Sequence, residues 1–160
     1  LESRGHSVKT IVLNQGVIPG TPEVLEKLLL GPDESVVIVR RLRKVDGAPA
    51  GIHTSYFSSR LYGPLLQRNL SSESLLEAAE EVSNLKMSHS TDSLRAIPLG
   101  VADSQLLEVA AGSPALELDG VVYESNGVPA RYTKAIYRGD MFRLEVNNSR
   151  TQVNSLSVTT

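Results

Sequence analysis

Residues 36–58 read VVIVRRLRKVDGAPAGIHTSYFS. The stretch opens as an apolar, β-branched run and turns basic at Arg40, Arg41 and Arg43. It then reaches Asp46-Gly47, a dipeptide suited to a two-residue turn, and resumes with apolar and aromatic residues. This pattern predicts a hairpin with strands over residues 36–45 and 49–57. Alternate residues of a strand point to one face. Arg41 and Arg43 therefore share a face with Val37, Val39 and Val45, while Arg40, Leu42 and Lys44 point the other way. Neighbouring guanidiniums on a largely apolar face repel each other and lose hydration unless an anion lies between them. The guanidinium fork matches phosphate and carboxylate geometry, so the pair reads as an anion fork. Two such arginines also suit a strand of surface ion pairs, and their spacing leaves both readings open.

Working outward, residues 10–18 form a β-branched run closed by Pro19. Thr21 suits a helix N-cap with Pro22 in the first turn, and Val24, Leu25, Leu28 and Leu29 follow at helical spacing up to Gly31-Pro32. Short helices are expected over residues 62–69 and 74–82, a long strand over 88–98 and a helix over 103–111. A second hairpin is expected over 115–124 and 129–137, turning at Asn126-Gly127. A last strand is expected near residues 142–146. The blocks PEVLEKLLLGPDESVVIVRRLRKVDGAPAG and DSQLLEVAAGSPALELDGVVYESNGVPAR share one grammar of helix, Gly stop, strand, turn and x-Pro-Ala return. Gly47 and Pro49 match Gly127 and Pro129 at the same offset. Two helix-plus-hairpin units predict an α+β fold, a mostly antiparallel sheet with helices packed to one side and a cleft between related halves. Because turns draw on few residue types, chance similarity of two hairpins is the competing account.

The chain has 160 residues, with 41% hydrophobic and 21% charged, which suits one soluble domain. A net charge of −2 supplies no basic field for gripping nucleic acid unaided, and 4% aromatics are too few for a base-stacking platform. The absence of cysteine excludes disulfides and thiolate metal sites, and no apolar run is long enough to span a membrane. His6, His53 and His89 fall in no metal-binding spacing, and no nucleophile elbow or phosphate loop is present. No catalytic set, metal site or cofactor site assembles from these residues. The start LESRGHSVKT carries neither an initiating Met nor a signal-peptide core, so the expectation is an excised domain, cytoplasmic in location.

The ordered fragments RLRKVDGAPAGIHTSYF, SESLLEAA, DSLRAI, LLEVAAGSPALELDGVVYESNGVPA and IYRGD resemble the UTRA domain. This is the effector-binding domain of the HutC branch of GntR-type bacterial transcription regulators. The resemblance implies a chorismate-lyase-like fold over residues 1–146, followed by a polar tail at 147–160. It also implies a homodimer and a small-metabolite effector. DNA would be contacted only through an N-terminal winged helix-turn-helix that this chain lacks. It carries the family's R-x-R pair onto Arg41 and Arg43, where sugar-phosphate-sensing relatives hold phosphate. The helix-start serine falls on Ser74, as anion contact, N-cap or both, and the tyrosine of YRGD falls on Tyr137. Arg138 and Asp140 are expected to be structural.

Departures from the family pattern bear on the ligand. His53 stands where a glutamate is common, Arg131 replaces a second glutamate, Leu76 a tyrosine and Met141 a frequent basic residue. Losing two carboxylates and gaining cations predicts an effector with more than one anionic group in place of an amino-sugar phosphate. Di- or tricarboxylates, phosphorylated acids and phosphonates are the candidates. The expected site is Arg41, Arg43, His53, Ser74, Arg131 and Tyr137, although Arg131 on the outer face would point to solvent. The edge at residues 11–18 is expected to support dimerisation. A small lyase sharing the fold is the alternative to a non-enzymatic sensor.

Overall fold

The computed structural model describes residues 5–147 and 149. Six antiparallel strands form one sheet in the order β1-β2-β3-β6-β5-β4. They span Val8–Pro19, Ser35–Val45, Ala48–Ser58, Met87–Pro98, Pro114–Glu124 and Pro129–Arg138 for β1 to β6. The helices are α1 (Pro22–Lys27), α2 (Ser59–Tyr62), α3 (Leu75–Ser83) and α4 (Val101–Leu106), with a 3-10 turn at Gly63–Gln67. No helix among the described residues is long and apolar enough to cross a membrane.

The duplication is visible in the topology. One half runs β1-α1-β2-β3 and the other β4-α4-β5-β6, and β3 pairs with β6 where the halves meet. Even the helix ends correspond. In α1 Leu29 takes a positive φ of 54° and the Leu30 N–H bonds back to the Leu25 carbonyl. In α4 Glu108 takes φ 57° and the Val109 N–H bonds back to the Ser104 carbonyl. Each is a Schellman-type stop, in which the chain satisfies its last carbonyls by turning left-handed. This is why both helices end short of the leucine-rich runs that predicted them. At the other end of α1 the expected cap is present, with Val24 N donating to the Thr21 hydroxyl.

The helices of the two repeats, α1 and α4, cover one face of the sheet. Val24 and Leu28 pack on Val36 and Tyr132, and Leu107 packs with Leu42 and Ile52. The α+β class with an antiparallel sheet is therefore as expected, but the segment joining the repeats adds helices to the opposite face. There Tyr62, Leu65, Leu75 and Ala78 bury Val37, Val39 and Phe57. Val36 and Val37 are both fully buried, so this part of β2 is apolar on both faces and each face needs a cover. Farther along, β2 stays covered on the repeat-helix side, while on the other side Val39 gives way to Arg41 and Arg43 beyond the α3 N-terminus.

The strand expected near residues 142–146 is not formed. β6 already has β3 and β5 as neighbours, so the chain turns at Gly139 to Met141 and leaves the sheet. Phe142 instead stacks on Tyr137, with ring centroids 4.3 Å apart. The tail expected at 147–160 lies outside the described residues, apart from Asn147 and Ser149.

Candidate functional site

Cross-strand register assembles the site from both halves. Arg41 faces His53, Arg43 faces Gly51, His53 faces Ala135 and Gly51 faces Tyr137. Arg131 precedes Thr133, Ala135 and Tyr137 on the same face at period two. The residues between these long side chains are small: Gly51, Ser55, Thr133 and Ala135. A floor of small residues leaves space beside the longer side chains of Arg41, Arg131, His53 and Tyr137.

Two adjoining cavities result. The first, of about 600 Å³, is bounded by Arg41, Arg43 and Arg131, by Thr10 of β1, and by Ser71, Ser72 and Ser74 at the start of α3. The second, of about 650 Å³, is bounded by His53, Tyr137, Phe142 and Met141, and shares Arg43 and Val8 with the first. The six expected site residues thus divide between two neighbouring compartments that share Val8 and Arg43 as walls. Arg41, Arg43, Ser74 and Arg131 line the first, and Arg43, His53 and Tyr137 line the second. Arg131 turns inward, not to solvent.

The electrostatics of this region are one-sided. Arg41 keeps only 8% of its surface exposed. The Nε atoms of Arg41, Arg43 and Arg131 are all buried, and none meets a hydrogen-bond acceptor among the described residues. Buried polar groups are normally paired, so three orphaned donors of like charge around one space are an exception that calls for an acceptor. Burial, with Arg43 and Arg131 nearby, lowers the Arg41 pKa to about 10, which still leaves it charged at neutral pH. Burial also lowers His53, to about 4, helped by Arg43, Arg41 and Arg131, so its imidazole is neutral. Arg131 is lowered chiefly by burial, and burial raises the Tyr137 phenol.

Among the described residues the one carboxylate lining the first cavity is already engaged. Glu73 accepts from Arg68 Nε at 2.7 Å, and Arg68 also holds Glu81. Ser74 is the N-cap of α3, its hydroxyl accepting from Glu77 N at 3.4 Å. That places the positive end of a nine-residue helix at the arginine cluster.

Motif residues outside the cavities have structural work. Arg138 forks onto Asp140 through Nε at 3.0 Å and Nη2 at 2.7 Å, and Nη1 donates to the carbonyls of Pro49 and Leu107. Gly139 lets the chain approach β5, because a Cβ there would lie 2.7 Å from the Pro114 carbonyl oxygen. On the opposite face Arg40 pairs with Asp103 of α4 at 3.1 Å.

Sequence reasoning missed several contributors. Thr10 reaches the site because β1 pairs with β2, placing Thr10 opposite Arg43. Ser71 and Ser72 precede the capped helix, and only that proximity to Ser74 could have flagged them. Asp92 of the edge strand β4 pairs with Gly120, where a Cβ would collide with its carboxylate. Its charge is felt by Arg131 and Tyr137. Nothing in the spacing of Asp92 announces this. Among the described residues no group of three or more metal-ligating side chains converges.

The fold is an α+β domain built on one six-stranded antiparallel sheet. The UTRA domain family model matches residues 3–143, and the chain belongs to that family. The HTH-type transcriptional regulator YydK of Bacillus subtilis is 28% identical over 131 residues, covering 82% of this chain and 55% of the relative. Its crystal structure superposes with a TM-score of 0.82 at 27% identity, over 89% of this chain and 62% of that one. The regulator GmuR of the same organism is 27% identical over 143 residues, covering 89% of this chain and 60% of its own. The effector domain of PhnF from Mycobacterium smegmatis matches in fold, with a TM-score of 0.84 at 19% identity over 92% of this chain and 91% of that domain. The chain spans 53–60% of the length of the sequence relatives it matches.

Proposed function

We propose that this chain is the effector-sensing and dimerising domain of a GntR-type transcription regulator, and that its effector is a small metabolite carrying two or more negative charges. The reading rests on one observation: three arginines with buried guanidinium Nε atoms line a single cavity, and none of those atoms has an acceptor among the described residues. A phosphate, phosphonate or polycarboxylate would supply the missing acceptors and relieve the repulsion among Arg41, Arg43 and Arg131. The serine hydroxyls and the α3 N-terminus would take its remaining oxygens. Similarity to proteins named as regulators favours a sensor over the small lyase that shares this fold.

In the whole regulator, DNA would be contacted through an N-terminal winged helix-turn-helix, in the cytoplasm, and the effector would act by binding two arrangements of the dimer unequally. A coupling of about 1–3 kcal/mol would change DNA affinity roughly 5–150-fold. Two sheet edges, β1 and β4, are open to a second copy. β1 exposes Leu13 and Val17, in keeping with the apolar edge expected there.

Calorimetric titration with methylphosphonate and with citrate tests the site. Binding of either that is lost in Arg43→Met supports it. Binding of neither, or binding indifferent to Arg43→Met, overturns it.

A further inference from the structure

The two neighbouring cavities differ in chemistry, and that difference describes the ligand beyond its charge. The first presents cations, hydroxyls and helix amides. The second presents rings: Tyr137 is stacked by Phe142 at 4.3 Å and met edge-on by His53 at 5.1 Å. Gly51 permits this wall, because a Cβ there would crowd the Tyr137 ring at 3.1 Å. Val45, Ala50 and Met141 add apolar surface beside these rings, and the polar groups His6, Arg43, Arg143 and Glu145 line the rest. His53 contributes an uncharged ring, since burial among guanidiniums keeps its proton off. Among the described residues the side-chain acceptors of this compartment are the Tyr137 hydroxyl, one imidazole nitrogen of His53 and, at the exposed mouth, His6 and Glu145. A body rich in hydroxyls would leave donors unmatched there, whereas a flat apolar ring would stack and shed water.

We infer that one ligand occupies both cavities, and that it is an aryl or heteroaryl phosphate, phosphonate or polycarboxylate. Its anionic head lies among Arg41, Arg43 and Arg131, and its planar body lies against Tyr137 and Phe142. Arg43, which borders both spaces, sits where head and body join. This rests on the anion-site reading above and adds the chemistry of the remainder of the molecule. Phe142 is the residue that distinguishes the two ideas, because it borders only the second cavity and lies outside the sheet.

The experiment is calorimetry on the purified chain with inorganic phosphate, phenyl phosphate and glucose 6-phosphate. Phenyl phosphate should bind about tenfold or more tighter than either of the others, from ring stacking and apolar burial. Phe142→Ala should abolish that advantage and leave inorganic phosphate affinity within about twofold, while Phe142→Tyr should keep the advantage. Thermal melts check that both variants fold. Arg41-dependent phosphate binding without an aryl advantage overturns this inference alone, as does tighter binding of glucose 6-phosphate or an advantage that survives Phe142→Ala. No Arg41-dependent binding of any probe overturns the anion site and this inference together.

Discussion

Replacing Arg41 by Met separates a binding arginine from a structural one, because the two roles predict opposite signs. Met keeps much of the aliphatic stem and removes the guanidinium. In the folded chain Arg41 has a lowered pKa of about 10, caused first by burial and then by Arg43 and Arg131. A cation whose pKa falls on folding is disfavoured in its charged form. The cost is present at every pH below the folded pKa, and so throughout the neutral range. Relieving it should stabilise the unliganded domain by about 1–3 kcal/mol, after allowance for lost packing and residual solvent. For a domain of this size that is a rise in melting temperature of roughly 2–4 °C per kcal/mol. Anion binding should move the other way. Losing one partner of a buried charged contact costs about 2–5 kcal/mol, or roughly 30-fold to several thousand-fold in affinity. Thermal melts with and without methylphosphonate or citrate, with calorimetry, read both quantities. A variant that melts lower than the parent and binds as well would refute the reasoning, and would make Arg41 part of the scaffold.

His53 makes a second prediction, for stability against pH. Its folded pKa of about 4 lies below its ordinary value, so the unfolded chain takes up the proton first as pH falls. Stability should therefore drop between about pH 6.5 and 4, at up to about 1.4 kcal/mol per pH unit from this group, and His53→Gln should flatten that slope in denaturant titrations. Gly139→Ala should destabilise by about 1–3 kcal/mol, since the new Cβ meets the Pro114 carbonyl, a backbone atom that cannot swing aside. An amino-sugar phosphate should fail to bind in the micromolar range, because positions 53 and 131 carry no carboxylate to receive its amine or hydroxyls; calorimetry reads this directly. Sedimentation velocity should find a dimer, and a monomer persisting at high concentration would remove the dimerising role.

Much of this site was legible in the chain because strand alternation is a local property. Once residues 36–45 are a strand, Arg41 and Arg43 must share a face, and Asp46-Gly47 must return the chain beside them. The turn is two residues long, with φ of 49° and 85°, as that dipeptide favours. The helix ends were less legible. Leucines at helical spacing continue past Lys27, but the chain stops there because a left-handed residue at Leu29 lets Leu30 bond back. Periodicity reports a buried face and says little about where the hydrogen bonds turn. Phe142 was misread for a related reason, since its alternating neighbours resemble a strand while β6, the strand before it, already has a partner on each side.

By itself the sequence determined the hairpins, the duplicated grammar and the paired arginines, all from spacing within a dozen residues. Only the tertiary structure decided which hairpin faces lie side by side. The β3–β6 pairing brings Arg131 and Tyr137 to Arg41 and His53, and the α3 cap closes the far side. It also decided that Arg131 points inward, that Asp92 reaches over Gly120, and that no acceptor among the described residues meets the three buried guanidinium Nε atoms. These depend on contacts between residues far apart in the chain, chosen because burying both faces of the central strands admits few arrangements. A local pattern can name the face a side chain takes, but what lies across from it is set by the packing of the whole domain.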